Sequence, residues 1–431
     1  MSNLALSSLP SVPDALLSLL YIIGIPVLLQ KIPFFKKSGF SRLQIHLLFA
    51  LVCAAAISNF YIYNALYGYG DCIMYMDRAR HIWELRTQGL PVMATDFLNF
   101  TEDGSYARVF DFMNPKAWES YGIVLLARIL FVCYMLAFTQ TYAAIILFSI
   151  LTFGGLVALR RSLLHYFPGK KITATLLCFG IPSTIFWCSG LYKDSLTLTF
   201  SAWLVFFTTS MMAGTHRKWN MAGAILALLL INFTRSYVFL GIFPAWLLWM
   251  VTNKYPKNSG FIFLGTYTSF MILAFSLPMV CNINFPQLIV NRQQDFLSLQ
   301  GHSFMPLNTL YPNFRSFLNN APQALNHALL RPYPGEAYHM LMLLSGIESL
   351  LITLLIAGCL FYIHKDRLNN PFLLFCLFYA GSLLMLLGYT VPFSGAFVRY
   401  RSAYLPFLLA SVLMSVDYIT IPVIRKKIYF R

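Results

Sequence analysis

The chain alternates long apolar runs with short polar breaks. Apolar runs of spanning length lie at 13–31, 45–66, 141–160, 172–190, 194–213, 219–234, 236–252, 260–279, 341–363, 371–390 and 403–424. A helix needs about 20 apolar residues to cross the hydrocarbon of a bilayer. The pattern therefore predicts an all-α fold, a polytopic transmembrane helix bundle of about eleven spans. No internal repeat or low-complexity tract breaks it, and residues 1–431 read as a single integral membrane domain.

One further apolar run, 120–138, carries Arg128 near its middle. A guanidinium facing lipid is costly, and a crossing here would invert the sidedness of every later basic cluster. The run is expected to pack on the membrane surface, or to dip in without crossing. The basic clusters are Lys36-Lys37, Arg160-Arg161 with Lys170-Lys171, His216-Arg217-Lys218, Lys254 with Lys257, Lys365 with Arg367, and Arg425-Lys426-Lys427. The positive-inside rule puts all of them on the cytoplasmic side. The N-terminus is then outside and the C-terminus inside. Two long loops, 67–140 and 280–340, become extracytoplasmic and are expected to contain short juxtamembrane helices. Short outer turns fall near Lys193-Asp194, Arg235 and Val391–Arg401. The start of the chain has no basic n-region or small-residue cleavage site, so its first apolar run is expected to be a retained anchor.

Composition agrees: 58% of residues are hydrophobic, 11% are charged and the mean hydropathy is +0.66. Soluble domains carry roughly 25% charge, so the expected location is the plasma (inner) membrane. The net charge of +16 would suit nucleic acid in a soluble protein. Here the basic residues sit in short clusters between apolar runs, which suits topology and headgroup contact, with membrane lipids and not nucleic acid as partners. The eight cysteines form no disulfide framework. Cys53, Cys133, Cys178, Cys359 and Cys376 lie within apolar runs, and Cys72, Cys188 and Cys281 near one membrane face. No CxxC or HExxH spacing occurs, so ligand spacing supports neither zinc nor another divalent metal.

Four polar clusters carry the candidate chemistry. The first, Gly68–Trp83, follows directly on a spanning run and brings in Asp71, Asp77, Arg78, Arg80 and His81. As a helix it places Asp71, Tyr75 and Arg78 on one face, because positions i, i+4 and i+7 share a side. A carboxylate where a helix leaves the lipid is a candidate catalytic group; the alternative is a solvated juxtamembrane helix. Farther along lie Asp96, an Asn99-Phe100-Thr101 sequon, Glu102, Asp103 and Asp111. The second cluster is the tight turn Ser189–Ser195, with Lys193 and Asp194. Its alternative is a self-neutralising pair, with Asp194 and Ser195 capping the next helix. The third, Arg331-Pro332-Tyr333-Pro334-Gly335-Glu336, has a backbone stiffened by two prolines. The fourth is Val398-Arg399-Tyr400-Arg401, and Arg235 joins this set. Arginine suits phosphate because its planar fork donates two parallel hydrogen bonds; the alternative is contact with anionic headgroups. Glu348 and Asp417 are carboxylates within apolar runs.

Carboxylates, phosphate-binding cations and aromatics (Tyr69, Tyr75, Trp83, Trp118, Tyr333) together suit sugar transfer from a lipid-linked phosphate donor. The carboxylate takes the proton of an acceptor hydroxyl, which attacks the anomeric carbon through an oxocarbenium-like state. The departing phosphate needs charge stabilisation more than it needs an acid.

Across roughly residues 45–213 the order of features resembles the C-type (GT-C) superfamily of polytopic membrane glycosyltransferases, and more loosely bacterial polysaccharide polymerases. Asp71, Tyr75 and Ala79 match that superfamily's D-(x)n-Y-(x)n-A setting after an early span. The run 120–138, Arg160-Arg161, Pro182 and Asp194 match its surface helix, its span ending in basic residues, and its proline-containing span leading to a turn with an aspartate. The resemblance implies an inverting glycosyltransferase that uses a polyprenyl-linked sugar donor and a glycan or lipid acceptor. Asp71 would be the base, and basic residues would hold the donor phosphate: Lys193, Arg235, Arg331, Arg399 and Arg401. Tyr75, Arg78 and Glu336 complete the expected substrate contacts. Two features differ: Asp71 lacks an adjacent second acid, and an extra span precedes the usual first one. Asp77 and Asp194 therefore stay in contention as the base. A repeat-unit polymerase and a transporter of lipid-linked sugars are the alternatives.

Overall fold

The computed structural model describes residues 9–98, 115–279, 284–301 and 303–416, with the backbone alone for 115–120. The sequon, Glu102, Asp103, Asp111, Cys281, His302 and Asp417 lie outside these residues, as does the Trp118 side chain. Among the described residues the chain is all helical and has no β-strand. It divides into two compact units, Met1–Phe239 and Leu240–Arg431.

In the first unit α1 (Val12–Leu29), a short α2 (Pro33–Lys36) and α3 (Arg42–Tyr61) precede α4 (Asp71–Glu84), α5 (Leu90–Leu98) and α6 (Pro115–Leu136). There follow α7 (Thr141–Tyr166), α8 (Lys171–Phe179), α9 (Pro182–Ser189), α10 (Lys193–Met212) and α11 (Arg217–Thr234). The helix α12 (Ser236–Thr252) begins in this unit and continues into the second. Within its own unit α7 is the hub: 83% of its most apolar window is buried, against α1, α3, α6 and α10. Gly155 makes the α7–α10 approach possible, since a Cβ there would lie 2.9 Å from Thr199 Cα.

The helix ends show how the sequence sets local structure. Ser41 and Gln44 form a capping box at the start of α3, with bonds of 3.2 and 2.9 Å. The first turn of α7 has no cap of its own, and Asp14 of α1 supplies it. The backbone N–H of Tyr142 donates to Asp14 Oδ2 at 3.0 Å, and that of Ala143 to Oδ1 at 2.9 Å. A buried carboxylate thus meets two amides that an apolar surrounding would leave unsatisfied. At the other end of α7, Arg160 donates to the carbonyl of Ser38 at 2.5 Å and to Thr175 Oγ1 at 2.8 Å, stacked 3.9 Å from the Phe40 ring. Arg160 was expected as a surface topology signal. It is 4% exposed and clamps the α2–α3 connection.

The second unit contains α13 (Ser259–Ser276), α14 (Phe285–Leu297), α15 (Phe314–Leu329), α16 (Met340–Leu360), α17 (Pro371–Thr390), α18 (Ser394–Ser402) and α19 (Leu405–Leu413). Here α17 is central, packed on α13, α14, α15 and α19. A Cβ at Gly388 would collide with the Ala324 carbonyl of α15. Trp249 of α12 stacks on Phe375 with ring centres 4.9 Å apart.

Among the described residues seven helices are long and apolar enough to cross a membrane: Val12–Leu29, Arg42–Tyr67, Thr141–Tyr166, Lys193–Met212, Pro256–Ser276, Met340–Leu360 and Pro371–Thr390. The pair α8–α9, bent by 50° at the break before Pro182, makes up to eight. The protein is thus a membrane-type helical assembly. All eleven expected runs contain helix, but three fall short of this measure. Arg217, Lys218 and Asn220 shorten the apolar part of α11, α12 has 17 residues, and α19 covers 9 residues of a run whose positions 417–424 lie outside the described residues. The expected long loops are themselves largely helical, as α4 to α6 and α14 to α15.

Because its amide partners lie in a buried environment, replacing Asp14 by Ala should destabilise the first unit by about 1–2 kcal/mol. Asp14→Asn should cost less. Thermal unfolding of the purified protein measures both.

Candidate functional site

The first candidate group forms around α4. A π-helical turn, Ile62–Tyr67, extends α3 and closes at Gly68 in the left-handed region (φ +70°). Gly70 follows at φ +152°, and a Cβ there would lie 2.8 Å from Tyr63 Cδ1. Only glycine fits both the conformation and the ring. The chain can then enter α4 with Asp71 as its first residue, where the helix dipole favours a carboxylate.

α4 is helical, as its polar spacing predicts, and buries Cys72, Tyr75, Met76, Ala79 and Ile82 on one stripe. Asp71 and Arg78 are half-buried beside this stripe, on the same side as Tyr75, which is 2% exposed. Asp77 faces elsewhere. It is exposed and ion-paired with Arg80 at 2.9 Å, and Arg80 in turn donates to Thr141 Oγ1 at 2.7 Å.

Asp194 and Arg235 form a buried ion pair. Asp194 sits in the first turn of α10, its side chain 1% exposed, with Oδ1 2.8 Å from Arg235 Nη2. Arg235 caps the end of α11, is 10% exposed and also donates to the Tyr237 hydroxyl at 2.9 Å. Beside this pair Gly122 of α6 lies against the Thr234 carbonyl and the Lys193 side chain, at 2.5 and 2.8 Å from where its Cβ would be. Three helices therefore meet with backbone exposed to Lys193.

The structure brings the first two sequence clusters together. Cys72, next to Asp71, is buried in one apolar cluster with Tyr75 and with Tyr192, which precedes Lys193. Burial pushes the Cys72 thiol up to about 11, against the pull of the Tyr192 hydroxyl. Tyr192 is 1% exposed and packs with Tyr63 and Trp187, at ring distances of 6.4 and 5.7 Å. Asp71, Tyr75, Lys193 and the Asp194–Arg235 pair thus belong to one neighbourhood of the first unit. Arg128 was expected as an awkward charge, and it is satisfied internally. It donates to the carbonyls of Phe97 at 2.7 Å and Asp96 at 2.5 Å, at the end of α5. Burial lowers its pKa, Asp96 opposes the shift, and the nearby positive Arg78 adds to it.

In the second unit Arg331, Glu336 and Arg401 form one group. Arg331 Nη2 is 3.4 Å from Glu336 Oε1, and Glu336 Oε2 accepts the Tyr333 N–H at 3.1 Å. Glu336 therefore fastens its own turn as well as pairing with Arg331. Arg401 donates to the Arg331 carbonyl at 2.8 Å and to Ser349 Oγ of α16. It is 1% exposed, and burial lowers its pKa to about 10 while Glu348 resists the shift. Its guanidinium thereby ties the Arg331 turn to α16. Arg399 is less buried, with Nη2 3.3 Å from the Tyr400 hydroxyl.

Sequence reading overlooked His327 of α15, which is 1% exposed beside Arg331. Burial and the positive Arg331 hold its pKa down to about 4, and Glu336 opposes them. An amphipathic pattern placing His327 on the inward face of α15 was the available signal. Among the described residues no three His, Cys, Asp or Glu side chains gather as a metal-holding group. Comparison with family models, with curated proteins and with solved structures finds no match to this chain.

Removing one partner of a buried pair leaves the other charge uncompensated. Asp194→Ala or Arg235→Ala should therefore destabilise the protein by about 3–5 kcal/mol, measured by thermal unfolding. His327 binds no proton in the folded state until the pH nears 4, whereas the unfolded chain does so near 6.5. Stability should fall as the pH drops from about 6.5 towards 4, and His327→Gln should flatten that slope in unfolding measurements at stepped pH.

Proposed function

We propose that the protein is a membrane glycosyltransferase of GT-C type, moving a sugar from a polyprenyl-phosphate donor to an extracytoplasmic glycan or lipid acceptor. The observation that carries this reading is the placement of Asp71. It is a half-buried carboxylate at a helix start, beside a buried aromatic cluster and the Lys193 turn. Of the other two carboxylates, Asp194 is buried against Arg235, and Asp77 is exposed and paired with Arg80.

In this mechanism Asp71 accepts the proton of the acceptor hydroxyl as oxygen attacks the anomeric carbon and the bond to phosphate breaks. Arg78 and Lys193 supply positive charge for the departing phosphate. Tyr75, buried on the same side of α4, positions the first turn. Asp194 and Arg235 hold the ends of α10 and α11 so that Lys193 keeps its place. The topology that accompanies the proposal has about eleven spans in the inner membrane, with this chemistry on the outer side. The second group, Arg331 with Glu336 and Arg399, is of the kind a second lipid phosphate requires. That group favours the repeat-unit polymerase as the alternative, because a polymerase handles two lipid-linked substrates.

Asp71→Asn should abolish one class of envelope linkage while membrane protein levels stay normal, and Asp77→Asn should leave the glycan unchanged. Glycan profiling of cells carrying each variant reads the difference. An unaltered profile for Asp71→Asn would remove the enzymatic reading.

A further inference from the structure

The second unit contains an open polar cleft of about 360 Å³, lined by Thr309, Tyr311, Asn313, Arg315, Ser316, Asn319 and Asn320. It is formed by the connection that enters α15 and by the first turns of that helix. Its size falls within the usual range of small-ligand sites, and its lining is amide, hydroxyl and one phenol ring. Arg315 carries the single charge in this lining.

The backbone of the cleft is fixed at nearly every other residue. Asn308 N–H donates to Gln323 Oε1 at 3.0 Å, and Asn308 Nδ2 to Asn320 Oδ1 at 3.1 Å. Leu310 N–H donates to Oε1 of the buried Gln293 at 2.8 Å. Gln293 also holds the carbonyls of Asn308 and Tyr389, at 3.1 and 2.8 Å. Tyr311 N–H donates to Ser316 Oγ at 3.0 Å, and Asn313 caps α15 through Ser316 N–H at 2.8 Å. Against this frame the side chains of Thr309, Tyr311, Arg315 and Asn319 are exposed and take no part in the hydrogen bonds and ion pairs that hold the frame. A rigid frame presenting uncommitted polar groups is pre-organised for a ligand, because little ordering remains to oppose binding.

We propose that this cleft binds a saccharide, the glycan acceptor or the sugar portion of a lipid-linked substrate; the assignment rests on the glycosyltransferase reading. Amides and hydroxyls match the donor and acceptor pairs of ring hydroxyls. The exposed Tyr311 ring offers an apolar face to the C–H side of a sugar ring, and Arg315 suits an acidic substituent. An apolar or cationic ligand would meet the wrong lining.

The test uses the full-length protein in nanodiscs and a defined probe: oligosaccharides released by mild acid from the lipid-linked intermediates of the host membrane. Saturation-transfer NMR should show sugar protons in contact with the protein. Arg315→Ala and Asn319→Ala should each weaken binding about fivefold or more. Thr309→Ala provides an independent variant, and unfolding temperatures verify that all three fold. Absence of transfer to the parent, or parent-like binding by all three folded cleft variants, would overturn the site. Binding that depends on the cleft, together with an unaltered glycan in Asp71→Asn cells, would uphold the saccharide site while removing the transferase reading.

Discussion

Backbone polar groups at a helix end must be satisfied, and in an apolar assembly water is not there to do it. Much of this structure follows from that constraint. Asp14 closes the start of α7, Arg128 the end of α5, and Arg160 the α2–α3 connection. Arg401 performs a related task in the second unit, holding the Arg331 carbonyl against α16. In each case a charged side chain is buried because backbone needs it. These four charges are bound up in the fold itself.

This sharpens the functional reading, because a charge spent on backbone is unavailable to substrate. Arg401 and Arg128 hold backbone carbonyls, and Asp194 and Arg235 hold each other. In the proposed mechanism Asp71, Lys193 and Arg78 act in the first unit, and the alternative draws on Arg331 and Arg399 in the second. The aromatic cluster of Tyr63, Trp187 and Tyr192 joins the start of α4 to the Lys193 turn through packing, with Cys72 buried in the same cluster.

The helical class and the positions of the apolar runs were legible in the sequence because spanning helices are written as continuous hydrophobic stretches. The face of α4 carrying Asp71, Tyr75 and Arg78 was legible for the same reason: helix period fixes it. The partner of each charge was not. Asp14 and Ala143 lie 129 residues apart, and Arg401 and Arg331 lie 70 apart. No local pattern encodes such meetings. Arg160 illustrates the limit, since its spacing suits both a surface topology signal and the buried clamp it forms. His327 was missed because a lone histidine among asparagines and alanines forms no chemical motif, and only the amphipathic period of α15 marks its inward face.

The bond between Asp14 and the start of α7 also bears on how the protein is made. The carboxylate leaves the ribosome 128 residues before the first amide that will receive it. During that interval the carboxylate has the Ser18 hydroxyl of its own helix as a partner. The contact that joins α1 to α7 can form only once Tyr142 and Ala143 have been made, so this junction is a late one for so early a residue.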